Sequence, residues 1–103
     1  MLELYYFENS ICSERALMAL SEKKVSDWVP HHVHLFENQQ FNPEYLKLNP
    51  KAQVPTLVHD GEIIRESSLI VDYLDDLYKV PPLKPSKLSE IALMREWIKE
   101  CDE

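Results

Sequence analysis

Glycine is almost absent from this chain, since Gly61 is the only one among 103 residues. A Walker loop and a G-x-G-x-x-G dinucleotide turn both need several glycines, because their backbone must approach phosphates closely. Neither motif can exist here, which excludes the nucleotide enzymes that depend on them. Gly61 follows Asp60 in a two-residue loop of the kind that fits a type I′ hairpin, so we expect turn geometry to explain it.

The chain also has few cysteines and no excess of positive charge. Cys12 and Cys101 are the only cysteines and stand far apart, which argues against a disulfide framework and a zinc ribbon. The formal net charge of -7 would repel a phosphate backbone, so we expect no nucleic acid partner. No apolar run approaches the roughly 20 residues of a membrane-spanning helix, and we identify no secretory signal. We therefore expect free thiols, a cytoplasmic location and no membrane partner.

The hydrophobic pattern predicts an α/β fold with the element order β-α-β-α-β-β-α. The predicted strands are 2–7, 31–36, 54–59 and 62–65, and the predicted helices are 10–24, 42–46 and 67–78. The first two strands are separated by a helix, which implies a parallel pair. The last two flank the Asp60-Gly61 loop, which implies an antiparallel hairpin.

Hydroxyl and charged residues complete the prediction for the helices. Ser10 or Ser13 is expected to cap the first helix, and Ser67 the helix after the hairpin. Ala16, Leu17 and Leu20 share one side of the first helix, which predicts a buried face. Lys23 belongs to the polar set that lies mostly on the opposite side.

The C-terminal part differs in composition. Residues 79–87 contain three prolines and are predicted to form a linker. Beyond it, apolar residues at helical spacing predict one further helix over 88–102, whose apolar face needs a partner. These are Leu88, Ile91, Met94 and Ile98. We thus divide the chain into a compact unit 1–78, a linker 79–87 and a helical segment 88–103.

Four motifs, in this order, resemble the N-terminal thioredoxin-like domain of the glutathione transferases. They are S-x-C-S-x-R at 10–15, Asn49-Pro50 followed by QVPTL at 53–57, the Asp60-Gly61 hairpin, and Glu66-Ser67 followed by IVDYL at 70–74. The sequence is most similar to the zeta-like bacterial branch, which includes maleylacetoacetate isomerases and tetrachlorohydroquinone reductive dehalogenases. The resemblance implies a mixed four-stranded sheet, with 88–103 as the first helix of an otherwise missing all-helical domain.

The resemblance implies a glutathione transferase-like enzyme, with glutathione as co-substrate, a small electrophile as its partner and a homodimeric assembly. Ser10 would donate a hydrogen bond that stabilises the glutathione thiolate. Cys12 would be either a nucleophile that resolves a glutathione conjugate or an auxiliary residue. From the residues alone, Cys12 is equally explained as a small side chain packed against the sheet.

The same resemblance implies a set of glutathione-binding residues. Val54-Pro55 would form a cis-proline turn in which Val54 pairs its backbone with the cysteinyl part of glutathione. Glu66 and Ser67 would hold the γ-glutamyl end at a helix N-terminus, and Gln53 the glycyl end. The alternatives are an ordinary trans proline and a helix start with no ligand.

Two other features have simpler explanations. His31, His32 and His34 resemble a metal cluster, but no carboxylate or cysteine stands near them in sequence, so we expect no metal site. Tyr5 and Tyr6 are assigned to packing. Two alternative functions stay open, a Cys-dependent reductive dehalogenase or isomerase, and a non-catalytic interaction module that pairs through its last helix.

Overall fold

The computed structural model describes the backbone of residues 1–102 and the side chains of residues 1–101. The strands are β1 (Leu2–Tyr6), β2 (Val29–His32), β3 (Thr56–His59) and β4 (Glu62–Arg65), and the helices are α1 (Ile11–Glu22), α2 (Pro43–Leu48), α3 (Ser67–Leu77) and α4 (Leu88–Asp102). This order confirms the predicted α/β fold with one further helix at the end. Glu103, which closes the predicted helical segment, lies outside the described residues.

The four strands form one mixed sheet in the order β2-β1-β3-β4. β1 and β2 run parallel, whereas β1 with β3 and β3 with β4 run antiparallel. The hairpin between β3 and β4 has φ angles of 49° at Asp60 and 88° at Gly61. Positive φ at both central residues is what a type I′ turn requires, so the predicted hairpin is confirmed.

The prediction of the second strand at 31–36 is wrong. The strand spans Val29–His32, and the chain then enters a short 3-10 turn at Leu35–Glu37. β2 is an edge strand, so Pro30 can lie in it without removing a hydrogen bond from an interior ladder. β2 begins where Val29 pairs with Glu3, and Pro30 pairs with Leu4 within the strand.

The core lies between the sheet and the two helices α1 and α3. Its eight fully packed residues are Leu2, Leu4, Ala16, Ala19, Leu20, Leu57, Ile70 and Leu74. A smaller cluster near α2 consists of Phe7, Val33, Tyr45 and Val54. Leu2 and Leu4 thus pack in the first cluster and Phe7 packs in the second, because successive side chains of a strand point to opposite faces.

Two polar residues are buried against expectation. Lys23, assigned to the polar side of the first helix, is 5% exposed, and its Nζ donates to Asp75 Oδ1 at 2.6 Å and to the Pro81 carbonyl. Ser13 is fully buried, and its Oγ accepts the Phe7 amide at 3.1 Å. In each case a hydrogen-bond partner outside the helix makes burial of a polar group favourable.

The segment after α3 is held to the core by ionic contacts. Asp75 Oδ1 also accepts the Leu83 amide at 2.7 Å. Lys84 Nζ lies 2.8 Å from Asp72 Oδ1, 3.3 Å from Asp75 Oδ2 and 3.2 Å from Asp76 Oδ1. Burial alone would lower the pKa of Lys84, but hydrogen bonds to these three carboxylates raise it to about 12.

The last helix borders a groove rather than joining the core. Met94, Trp97, Ile98 and Cys101 of α4 face side chains of α1 and α3 across a cavity of about 500 Å³, which we call the helical groove. Leu88 and Leu93 of the same helix are exposed. Within residues 1–102, no helix has the length and apolar character needed to cross a membrane.

Candidate functional site

The predicted site residues meet in one cleft, although they come from separate parts of the chain. The cleft has a volume of about 500 Å³ and is lined by Ser10, Cys12, Gln53, Val54, Pro55, Glu66 and Ser67. These residues come from the start of α1, the segment before β3 and the start of α3. The sheet order explains the meeting, since β1 and β3 are neighbours and α1 packs beside α3.

Ser10 is the N-cap of α1. Its Oγ accepts the Ser13 amide at 3.2 Å, and its main chain also bonds to the Phe7 carbonyl and the Glu14 amide. A hydroxyl has two acceptor lone pairs and one donor proton, so the capping bond does not use the proton. Ser10 can therefore cap the helix and donate to a ligand at the same time.

Cys12 lies two residues further on, in the first turn of α1. Its side chain is exposed and borders the cleft. The alternative of a small side chain packed against the sheet is therefore wrong. Of the two predicted caps, Ser10 takes that role, and Ser13 is buried instead, where its hydroxyl accepts the Phe7 amide.

Glu66 and Ser67 begin α3 at the border of the cleft. Glu66 occupies the N-cap position with a φ of 74°, and no side chain caps the helix. The prediction that Ser67 is the cap is wrong, since its Oγ accepts Arg15 Nη1 at 3.2 Å. Lys51 Nζ lies 3.7 Å from Glu66 Oε1. The amides of the first turn thus stand beside a mixed set of charges that suits an amino acid head group.

The segment with Gln53, Val54 and Pro55 is positioned by two buried polar residues. Tyr45 Oη donates to the Gln53 carbonyl at 2.5 Å and lies 2.8 Å from Thr56 Oγ1. Asn49 Nδ2 donates to the same carbonyl at 3.1 Å. Burial is the main cause that raises the pKa of Tyr45. The sequence does not indicate either role, because Tyr45 is assigned only to a short helix and Asn49 only to a motif of the resemblance.

The peptide bond between Val54 and Pro55 is cis. The main-chain amide and carbonyl of Val54 make no hydrogen bond to any other described residue. Val54 is buried at the border of the cleft, and unpaired groups of this kind suit an extended ligand that pairs as an added strand.

The cleft also contains residues that the sequence does not indicate. These are Leu35, Gln40, Asn49, Ala52, Ser68 and Cys101, together with Arg15, to which the sequence assigns no binding role. Arg15 does bond to Ser67, and it borders the cleft as well. No local pattern marks Cys101, because it reaches the cleft only through the path of α4.

The histidines of β2 meet carboxylates from the first strand and the residues after it. His31 Nε2 lies 2.9 Å from Glu3 Oε1, and His32 Nε2 lies 2.6 Å from Glu8 Oε2. The absence of a carboxylate near them in sequence is thus a poor guide to their surroundings in the fold. Among residues 1–101, no group of three or more His, Cys, Asp or Glu side chains is arranged to hold a metal ion.

Comparison with known proteins gives a family match over most of the chain. A sequence model described as the glutathione S-transferase N-terminal domain matches residues 4–82. The zeta class glutathione S-transferase of Euphorbia esula is 38% identical over 93 residues, which are 89% of this chain and 40% of that protein. The maleylacetoacetate isomerase of Dictyostelium discoideum is 39% identical over 95 residues, with 90% and 43% covered.

Solved structures agree with this match. The beta-etherase LigF of Sphingobium sp. superimposes with a TM-score of 0.92 at 35% identity, covering 99% of this chain and 42% of that one. A glutathione transferase homologue from Sulfitobacter with bound glutathione superimposes with a TM-score of 0.88 at 29% identity, covering 96% and 47%. These similarities confirm both the thioredoxin-like fold and the resemblance to zeta-like relatives.

The chain spans about 40% of the length of the curated relatives it matches. The match to the N-terminal domain ends at residue 82, within the proline-rich segment 79–87. On the strength of the family match, the chain belongs to the glutathione S-transferase family and carries its N-terminal domain.

Proposed function

We propose that this chain binds glutathione and stabilises its thiolate for attack on a small electrophile. One observation supports the proposal above all others, namely that seven residues predicted from separate motifs line a single cleft. The cleft presents a hydroxyl donor, an unpaired backbone segment and a helix N-terminus. Those are the groups that a thiolate, a peptide bond and a carboxylate require.

Ser10 is proposed to donate the hydrogen bond that stabilises the glutathione thiolate. Lowering a thiol pKa by one unit requires about 1.4 kcal/mol of preferential binding of the thiolate. A single charge-assisted hydrogen bond from a hydroxyl supplies an interaction of about this size. The Ser13 amide fixes the Ser10 oxygen at 3.2 Å, so the donor is held in place before the ligand arrives.

The tripeptide is proposed to run from the start of α3 toward the segment before β3. Glu66 pairs with the γ-glutamyl ammonium, while the amides and hydroxyl of the first turn at Ser67 hold the carboxylate. Val54 pairs its backbone with the cysteinyl residue, and Gln53 reaches the glycyl end. Lys51 lies beside Glu66, so it adds positive charge at the γ-glutamyl end.

Glutathione titration by calorimetry tests the binding half of the proposal. We expect Glu66→Ala to weaken binding roughly tenfold to a hundredfold, because an ion pair with the ligand is lost. Glu62→Ala is the matched control, since Glu62 is an exposed glutamate on β4 that does not border the cleft. Equal affinities for both variants would remove Glu66 from the site.

The thiolate half is tested by the ultraviolet absorbance of bound glutathione across a pH series. We expect Ser10→Ala to raise the pKa of the bound thiol by about one unit. Ser10→Thr, which keeps both the cap and the hydroxyl, should restore it. An unchanged thiol pKa in Ser10→Ala would exclude Ser10 as the donor.

A second function, in which Cys12 is a covalent nucleophile, is favoured by one observation. The Cys12 side chain is exposed and borders the cleft two residues from Ser10. In a reductive dehalogenase, this sulfur would attack the sulfur of a glutathione conjugate, displace the reduced product and carry the glutathionyl group as a mixed disulfide, whereas in an isomerase Cys12 would be auxiliary. Mass spectrometry of the chain quenched during turnover of a halogenated quinol should find that group on Cys12. Its absence there would favour the Ser10 mechanism.

The assembly and division of the chain complete the proposal. We propose that 1–78 is the glutathione-binding domain, 79–87 a linker and 88–103 the first helix of a helical domain.

The exposed Leu88 and Leu93 of α4 support association, either as a homodimer or as an interaction module. Two free thiols are typical of a reducing compartment such as the cytoplasm. A strictly monomeric species in sedimentation at high concentration would contradict the dimer.

A further inference from the structure

Both cysteines border the same cleft, although they stand near opposite ends of the sequence. Cys12 lies in the first turn of α1, and Cys101 lies in the last turn of α4. Both side chains are exposed, and both line the cavity that contains Ser10. A tripeptide bound in this cleft would therefore share it with two protein thiols rather than one.

Shared neighbours locate the second thiol more closely. Arg15 follows Cys12 by three residues, so the two side chains lie on the same side of α1. Arg15 and Ser68 border both the cleft and the helical groove, and Cys101 does so too. Cys101 thus borders both cavities, and Cys12 borders the cleft.

We propose that Cys12 and Cys101 form a dithiol pair that exchanges with glutathione disulfide bound in the cleft. The inference rests on the proposed glutathione binding and adds a thiol–disulfide exchange activity to it. Exchange requires an accessible attacking thiol and a second accessible thiol that resolves the mixed disulfide. Cys12 and Cys101 satisfy both requirements within one cavity.

The exchange proceeds in two steps. In the first, the Cys12 thiolate attacks one sulfur of glutathione disulfide, the S–S bond of that molecule breaks, and one glutathione leaves as thiolate. In the second, the Cys101 thiolate attacks the Cys12 sulfur, the mixed disulfide breaks, and the second glutathione leaves. The protein loses two electrons and two protons, and one glutathione disulfide becomes two glutathione molecules.

The test is non-reducing mass spectrometry of the chain after incubation with glutathione disulfide, followed by peptide mapping. We expect the wild-type chain to lose the mass of two hydrogen atoms and to yield a linked Cys12–Cys101 peptide pair. Cys101→Ser should accumulate one glutathionyl group on Cys12 instead. Cys12→Ser should lose the linked pair.

Three results would overturn the proposal. They are a stable glutathionyl group on wild-type Cys12 without a linked pair, a linked pair that joins two molecules, and a pair that forms equally fast with hydroxyethyl disulfide, which lacks the tripeptide. Binding of S-methylglutathione, which cannot exchange, separates this inference from the proposed function. If that analogue binds and no linked pair forms, the exchange alone is excluded, whereas absence of binding excludes the glutathione site itself.

Discussion

Lys23 Nζ lies 2.6 Å from Asp75 Oδ1, and the two side chains are 0% and 8% exposed. The pair joins α1 to α3 underneath the segment that leads to α4, because Lys23 also donates to the Pro81 carbonyl. A buried pair of this kind is costly to break, since removal of one partner leaves the other charge without compensation.

Asp75→Asn should therefore lower the free energy of unfolding by about 3 to 5 kcal/mol. The substitution keeps the shape of the side chain and removes the charge that Lys23 requires. Urea unfolding near neutral pH measures the change. Asp76→Asn is the control on the same helix, because Asp76 is 66% exposed and should cost well under about 1 kcal/mol. Equal effects of the two substitutions would contradict a buried ion pair.

The stabilisation from Asp75 should depend on pH in a defined direction. Burial alone would raise the pKa of Asp75, but hydrogen bonds from Lys23, the Leu83 amide and Lys84 outweigh it and lower the pKa below 3.8. A lowered folded-state pKa gives stabilisation that is complete above the ordinary value and is lost as pH falls through the folded one. The difference in unfolding free energy between wild type and Asp75→Asn should thus persist at pH 5 and shrink below about pH 3.8. A difference that has already disappeared at pH 5 would contradict the lowered pKa.

Lys84 gives the opposite dependence at high pH. Its pKa is raised from 10.5 to about 12, so its stabilisation is complete below 10.5 and is lost between these two values. We expect the stability difference between wild type and Lys84→Met to decrease over that interval. Chemical denaturation at a series of alkaline pH values measures it, and subtraction of the variant removes the contribution of other titrating groups. A constant difference across the interval would rule out the contacts with Asp72 and Asp76.

Tyr45 is expected to act on the cleft through the segment before β3. Tyr45→Phe removes the hydrogen bonds to the Gln53 carbonyl and Thr56, so we expect a loss of about 0.5 to 1.5 kcal/mol in unfolding free energy. Glutathione affinity should also fall, because the backbone of Val54 is less firmly held. Tyr5→Phe is the control, since it keeps the ring that stacks on His31 at 4.3 Å. If Tyr45→Phe changes stability and leaves glutathione affinity untouched, the positioning role is wrong.

Gly61→Ala tests the hairpin. A Cβ at Gly61 would meet no atom within 4 Å, so any cost comes from the φ of 88° and not from a clash. We expect a loss of about 1 kcal/mol in unfolding free energy. Gly61→Asn should cost less, because asparagine tolerates positive φ better than alanine. Equal losses for both variants would show that backbone conformation is not the cause.

The order of elements could be predicted from the sequence because its signals are local. A hairpin follows from Asp60-Gly61, and a helix from apolar spacing, without knowledge of the rest of the chain. The burial of Lys23 could not be predicted, since its partner lies 52 residues away. The start of β2 could not be predicted for a similar reason. A strand can contain Pro30 when it lies at the edge of the sheet, and that position depends on the rest of the fold. Cys101 reaches the cleft only because of how the chain runs after α3.

The cleft and the helical groove share part of their walls. Arg15, Ser68 and Cys101 border both, so a molecule that displaces these side chains in one cavity alters the lining of the other. Such a coupling is reciprocal by thermodynamic necessity, since each ligand must change the affinity for the other by the same factor. A segment that packs into the groove and displaces these side chains would thereby alter the affinity of the cleft for the glutathione that we propose it binds.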